Sequence, residues 1–277
     1  MLQETMIERV RALCQADTRV VAAMMYGSFC FGEGDRYSDI EFVLFFEDST
    51  YAGLDRRAWL SQIAPVALLF VNEFGVTTAI FENLVRGEFH FHAASEIEIA
   101  GGFQANGVWF PSLDSTLICD KTGMLTPYLE PLIGGPPDRT APENLQFVVN
   151  CFFNWLVFGL NVLRRGELAR ALELLSAVQR NLLWMARALE GSTEHWPIPA
   201  RLLERDLSAN AVARYRACTA ALDGPSLRRA YGECWRWAAE MLPELAARFG
   251  VMTPQSLFAP LDAVIAEISR TPRSGEK

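Results

Sequence analysis

The sequence predicts an α+β protein of 277 residues, with a mixed β-sheet in an N-terminal domain of residues 1–133 and a helical bundle in a C-terminal domain of residues 140–270. Three observations lead there. Compact apolar runs joined by short connections fill the first half, as in strands covered on both faces. The stretch Pro-Leu-Ile-Gly-Gly-Pro-Pro-Asp-Arg-Thr-Ala-Pro, residues 131–142, breaks any regular element. Beyond it, apolar residues recur at helical spacing. With 51% apolar and 11% aromatic side chains the chain has enough material for one large core or two smaller ones.

Taken in order, residues 4–16 read as an amphipathic helix. Val20 to Met25 and Ile40 to Phe46 read as central strands, and residues 66–70, 77–81 and 88–92 continue the sheet. Thr140 followed by Glu143, with Pro142 between them, reads as a capping box opening a long apolar helix. Residues 168–189, 208–222, 226–249 and 254–268 read as further helices, and 271–277 as a polar tail. Asn150, Asn154 and Asn161 fall within about 40° of one another on a helical wheel, a polar stripe expected to find partners among neighbouring helices or to face a ligand. Trp155, Trp184, Trp235 and Trp237 are expected mostly in the core.

Lys and Arg number 25 against 33 Asp and Glu, a net charge of −8, which argues against extended contact with nucleic acid. The N-terminus places acids before any apolar run, unlike a secretory signal, and the most apolar stretch, residues 147–163, is interrupted by asparagines; a cytoplasmic protein without a membrane span is expected. Six cysteines without a CxxC pair read as reduced, packed thiols rather than zinc ligands.

Asp39 and Glu41 stand two apart at the mouth of an apolar strand, so both carboxylates project from one face, roughly 7 Å apart at Cα, where they can converge on a hard cation such as magnesium. Gly27-Ser28 follows the preceding strand, with residues 29–38 between. A Gly-Ser turn lets backbone approach a phosphate and offers it N–H and hydroxyl donors. Glu88, His90 and His92 alternate with Phe89 and Phe91, which puts the polar groups on one strand face. Glu-x-His-x-His is also a ligand set for iron, manganese or zinc, the rival reading of this strand. Arg164, Arg165 and Arg170 are candidates to clamp phosphate oxygens.

Apolar strand, Gly27-Ser28, spacer, Ser38-Asp39-Ile40-Glu41 and apolar strand together resemble the nucleotidyltransferase superfamily that includes DNA polymerase beta and antibiotic nucleotidyltransferases. The longer stretches Met24-Met25-Tyr26-Gly27-Ser28, Tyr37-Ser38-Asp39-Ile40-Glu41-Phe42, Arg86-Gly87-Glu88-Phe89-His90-Phe91 and Ala169-Arg170-Ala171-Leu172-Glu173 resemble the lincosamide nucleotidyltransferases, and the resemblance runs along most of the chain. It implies an N-terminal nucleotidyltransferase catalytic domain and a helical substrate-binding domain. It also implies Mg2+-dependent transfer of a nucleoside monophosphate, from ATP or a related triphosphate, to a hydroxyl of lincomycin or clindamycin, at sugar position 3, by a homodimer. The roles it carries over are Asp39 and Glu41 for metal, Gly27 and Ser28 for triphosphate, and Glu88 as general base, with Glu82 in reserve. Arg170 is the arginine chosen for the triphosphate. An aminoglycoside nucleotidyltransferase and a non-catalytic, toxin-neutralising module of the same fold are the alternatives.

Overall fold

A computed structural model describes residues 1–105 and 107–270. The chain divides into two compact units, Met1–Pro137 and a second beginning at Asp138.

The first unit is built on a six-stranded mixed sheet. Its strands are β1 (Val20–Tyr26), β2 (Ile40–Phe46), β3 (Val66–Val71), β4 (Thr77–Phe81), β5 (Arg86–Ala93) and β6 (Leu117–Asp120), in spatial order β3-β4-β5-β2-β1-β6. Only β2 and β5 run parallel; the other pairs are antiparallel. A mixed sheet was expected, but β6 was not: four residues are too few to show a period. Helix α1 (Leu2–Ala16) adds Met6, Val10 and Cys14 to the core that β1, β2 and β5 supply.

Side-chain alternation divides this sheet. Phe42, Phe46, Phe89 and Phe91 fill one face, where Phe46 and Phe91 meet Trp59 edge-on. The opposite face carries Tyr26, Glu41, Glu88 and Thr78 as successive register partners across β1, β2, β5 and β4. A polar row in mid-sheet needs partners or solvent, and Glu41, Glu88 and Tyr26 are each half-buried.

The second unit is helical: α2 (Pro142–Arg164), α3 (Leu168–Glu190), α4 (Ala209–Ala217), α5 (Gly224–Phe249) and α6 (Phe258–Ser269), with shorter turns between. Helix α2 is long and apolar enough to cross a membrane by length and composition. Its apolar residues Leu145, Val149, Phe152, Leu156 and Leu160 nevertheless lie in the helical core. Gly159 leaves room for the Tyr231 ring, whose hydroxyl donates to the Ala171 carbonyl at 2.7 Å. Trp235 and Trp237 are buried and Trp155 and Trp184 partly so. The fully buried Arg187 guanidinium ties down the connection after α3. It donates to the carbonyls of Pro199 and Arg201 and to the Ser192 hydroxyl, and pairs with Asp206.

Three local expectations are corrected here. Thr140 does not cap α2: its hydroxyl donates to Asp138 Oδ1, which also accepts the Thr140 N–H, and the helix starts from Ala141 instead. Asn150, Asn154 and Asn161 are exposed rather than satisfied inside the bundle, because the stripe lies opposite the apolar face of α2. The helix expected over residues 208–222 stops at Ala217. Asp223 is extended there and caps α5 through the Ser226 N–H, ahead of a proline in the first turn.

Candidate active site

Glu41 and Glu88 are direct register partners across the parallel β2/β5 pair, and Asp39 lies beyond the end of β2 on the same face. The strand pairing thus brings together the three carboxylates that the sequence placed 47 residues or more apart by pairs, Asp39 and Glu41 against Glu88. Glu82 is elsewhere: it is exposed in the turn between β4 and β5.

Gly27 shapes the site through what it lacks. Its backbone sits at φ 79 and ψ −162, a region reserved for glycine, and a Cβ there would overlap the Glu41 carboxylate. The glycine therefore makes room for a carboxylate as well as for close backbone approach. Ser28 begins the short 3-10 turn Ser28–Phe31 and is half-buried. Gly27→Ala is expected to cost roughly 1–3 kcal/mol of stability through backbone strain, and to lower turnover by pushing the Glu41 side chain away. Urea unfolding and steady-state kinetics on the same preparation measure both; wild-type values for the two would refute this packing.

Glu88 is held by three donors. Arg86 Nη2 and Asn72 Nδ2, the latter at 3.2 Å, donate to Oε1, and the Tyr26 hydroxyl lies 3.4 Å from Oε2. Asn72 is itself fixed: its Oδ1 accepts the Phe74 and Val76 N–H groups at 3.0 Å in the β3–β4 turn, which leaves its amide protons for Glu88. Arg86 Nη1 reaches across to Asp39 Oδ2, so one guanidinium spans two of the carboxylates. Burial, with the negative charges of Glu41 and Glu88, raises the Tyr26 hydroxyl above its ordinary range and keeps it a donor.

The histidines serve other partners. His90 Nε2 lies 3.0 Å from the Tyr26 hydroxyl, while His92 stacks on Phe45 and sits 3.6 Å from Glu96. Burial lowers both imidazoles below the ordinary histidine value, which favours their neutral forms. His90 Nε2 and His92 Nδ1 thus face different neighbours. Among the described residues no three His, Cys, Asp or Glu side chains form a ready cluster for a metal ion.

For a hard divalent cation the donor set fits. Asp39, with 36% of its side chain exposed, and Glu41 offer carboxylate oxygens at the open end of β2, and magnesium takes a few such ligands plus water and phosphate oxygens. The cradle at Gly27 supports the same fit, since it keeps Glu41 in place beside the turn.

Beside Glu88 the same face opens into a cavity of about 180 Å³ lined by Met24, Tyr26, His90, Phe103, Val108 and Phe110. Apart from the Tyr26 hydroxyl and the His90 ring nitrogens, these side chains are apolar. In the second unit Arg170 is half exposed, 3.3 Å from Glu167 and 5.2 Å above the Phe158 ring, and Arg164 pairs with Glu267.

Sequence reasoning did not identify Arg86, Asn72 or Tyr26 as site residues. Arg86 and Tyr26 do stand inside the family-like stretches, adjacent in alternation or turn to Glu88 and Gly27. Asn72 gave no signal beyond that of a turn asparagine.

Residues 141–263 match the family model described as Lincosamide nucleotidyltransferase-like, C-terminal domain. No curated protein matches the chain. Among solved structures, an aminoglycoside 6-adenyltransferase from Bacillus subtilis is 16% identical with a TM-score of 0.44, covering 98% of this chain and 99% of its own. A nucleotidyltransferase-like protein from Exiguobacterium sibiricum 255-15 is 12% identical with a TM-score of 0.38, covering 98% and 96%. At these values neither likeness decides a fold or a substrate for this chain.

Proposed function

We propose that this chain, whose residues 141–263 match the lincosamide nucleotidyltransferase-like C-terminal domain model, is an antibiotic nucleotidyltransferase. It transfers a nucleoside monophosphate from ATP or a related triphosphate to a hydroxyl of a lincosamide and releases pyrophosphate. The observation that carries the reading is the row Tyr26, Glu41, Glu88 on one sheet face, with Asp39 just before β2 and the Gly27-Ser28 turn directly after Tyr26.

In this reading Asp39 and Glu41 hold Mg2+. When bound there, such an ion would supply positive charge against that of the phosphate groups. Gly27 and Ser28 offer backbone and hydroxyl donors to the triphosphate. Glu88 takes the proton of the attacking hydroxyl. Arg86 and Asn72 occupy its Oε1, so Oε2, shared with the Tyr26 hydroxyl, is the atom that receives it. Glu41 lies next to it on β2 and Asp39 just before that strand, which sets the metal ligands beside the base.

The apolar cavity beside Glu88 favours a lincosamide over an aminoglycoside. An alkylated proline ring can fill about 180 Å³ of apolar space. An ammonium group of a polycationic aminoglycoside would be stripped of water there with no carboxylate in the lining. We propose further that the enzyme is cytoplasmic and dimeric and that sugar hydroxyl 3 is the acceptor. The test is transfer of nucleotide to clindamycin and to an aminoglycoside under identical conditions, with magnesium and then with EDTA. Magnesium-dependent transfer to clindamycin alone is expected; transfer to the aminoglycoside alone would reverse the substrate assignment.

A further inference from the structure

Asp39, Glu41 and Glu88 crowd three carboxylates onto one face of the parallel β2/β5 pair, and like charges side by side on a sheet destabilise one another. Arg86 answers that charge. Its Nη1 donates to Asp39 and its Nη2 to Glu88. The strand dictates the bridge: Arg86 lies two residues before Glu88 and so shares its face, and the Ile40↔Gly87 register sets Arg86 beside Asp39. A planar guanidinium presents its donors as a fixed fork, so Nη1 and Nη2 can each serve one acid, whereas a lysine offers both a single nitrogen.

The bridge conflicts with metal binding. Asp39 Oδ2 is taken by the guanidinium, and a divalent cation drawn to Asp39 and Glu41 would also have to approach that positive charge.

We propose that Arg86 is a positioning residue that couples cation binding to nucleotide binding. This rests on the nucleotidyl-transfer reading above. Without nucleotide the guanidinium holds Asp39 and Glu88 together and the site takes a divalent cation weakly. When phosphate oxygens arrive, Nη1 has another anion to bind, and Asp39 is released to the cation. The Nη2 arm stays on Glu88 Oε1 beside Asn72, so the base keeps its aim while Asp39 changes partner. No bond is made or broken; one arm of one side chain exchanges an acceptor.

The experiment measures Mn2+ binding by electron paramagnetic resonance of the free ion, for wild type, Arg86→Gln and Arg86→Lys. Each is measured without nucleotide and with a saturating non-hydrolysable nucleotide analogue, after thermal unfolding has established that it folds. Arg86→Gln is expected to bind Mn2+ alone about tenfold tighter than wild type, the scale of one charge-assisted hydrogen bond discounted for solvent. It should also lose most of the gain in affinity that the analogue gives wild type. Arg86→Lys should fall between the two. A role confined to holding the fold together would weaken Mn2+ binding in both variants, and equal or weaker binding by folded Arg86→Gln overturns the proposal. Should Arg86→Gln not fold, Arg86→Lys decides it, and binding no tighter than wild type overturns it. A wild-type protein that binds both Mn2+ and analogue, with unchanged variants, sinks this proposal alone. A wild-type protein that binds neither sinks the nucleotidyl-transfer reading with it.

Discussion

Asp39→Asn is expected to abolish nucleotidyl transfer in a protein that still folds. Asp39 lies outside the core, with 36% of its side chain exposed, and its partner Arg86 is 40% exposed. An ion pair this open contributes at most about 1 kcal/mol to stability, so the fold should tolerate the change. The catalytic cost is larger. One metal-binding charge supplies several kcal/mol of transition-state stabilisation, which makes the loss in kcat roughly 10³-fold or more. Asparagine keeps the shape and one oxygen but contributes no charge to the cation. Steady-state kinetics beside thermal unfolding separates the two effects. Near-normal turnover in a well-folded Asp39→Asn protein would mean that the chemistry takes place at another site.

The second large effect belongs to Glu88→Gln. The pocket around Glu88 can accept the amide: its oxygen can face Arg86 and Asn72, and its NH2 can face the Tyr26 oxygen while that hydroxyl donates to His90. The variant should therefore fold and bind. With Asp39 and Glu41 intact, affinity for magnesium and for a nucleotide analogue should change little by calorimetry. The amide cannot accept the proton of the acceptor hydroxyl, and general-base catalysis is commonly worth about 10²–10⁴-fold in kcat. Wild-type kcat would remove Glu88 from the role of base. Collapse of nucleotide binding would make it chiefly a metal ligand.

The parts of this site that obey a local rule could be read from the sequence. Alternation put Asp39 with Glu41, and Glu88 with His90 and His92, because a strand has a period of two whatever it packs against. Their meeting was not local. Glu88 reaches Glu41 because β5 enters the sheet between β4 and β2, after the β3–β4 hairpin, and the 47 residues from Asp39 to Arg86 do not encode that order in any short pattern. Asn72 illustrates the same limit: its oxygen makes an ordinary turn contact, and only the register of β4 against β5 brings its amide to Glu88. Arg86 was visible as a neighbour of Glu88, yet an arginine at a strand mouth reads as solvated until Asp39 is found beside it. The exposed asparagine stripe of α2 failed in the other direction. Periodicity placed Asn150, Asn154 and Asn161 on one face correctly, but a period does not say whether that face meets a neighbour or water.

The central claim, that this chain nucleotidylates a lincosamide at the Asp39, Glu41 and Glu88 site, is tested most directly by mass spectrometry of clindamycin incubated with the protein, ATP and magnesium. The account predicts clindamycin carrying one adenylyl group with wild-type protein and unchanged clindamycin with Asp39→Asn. Clindamycin left unmodified by folded wild-type protein with ATP and with the other nucleoside triphosphates, or modified equally well by Asp39→Asn, would contradict it.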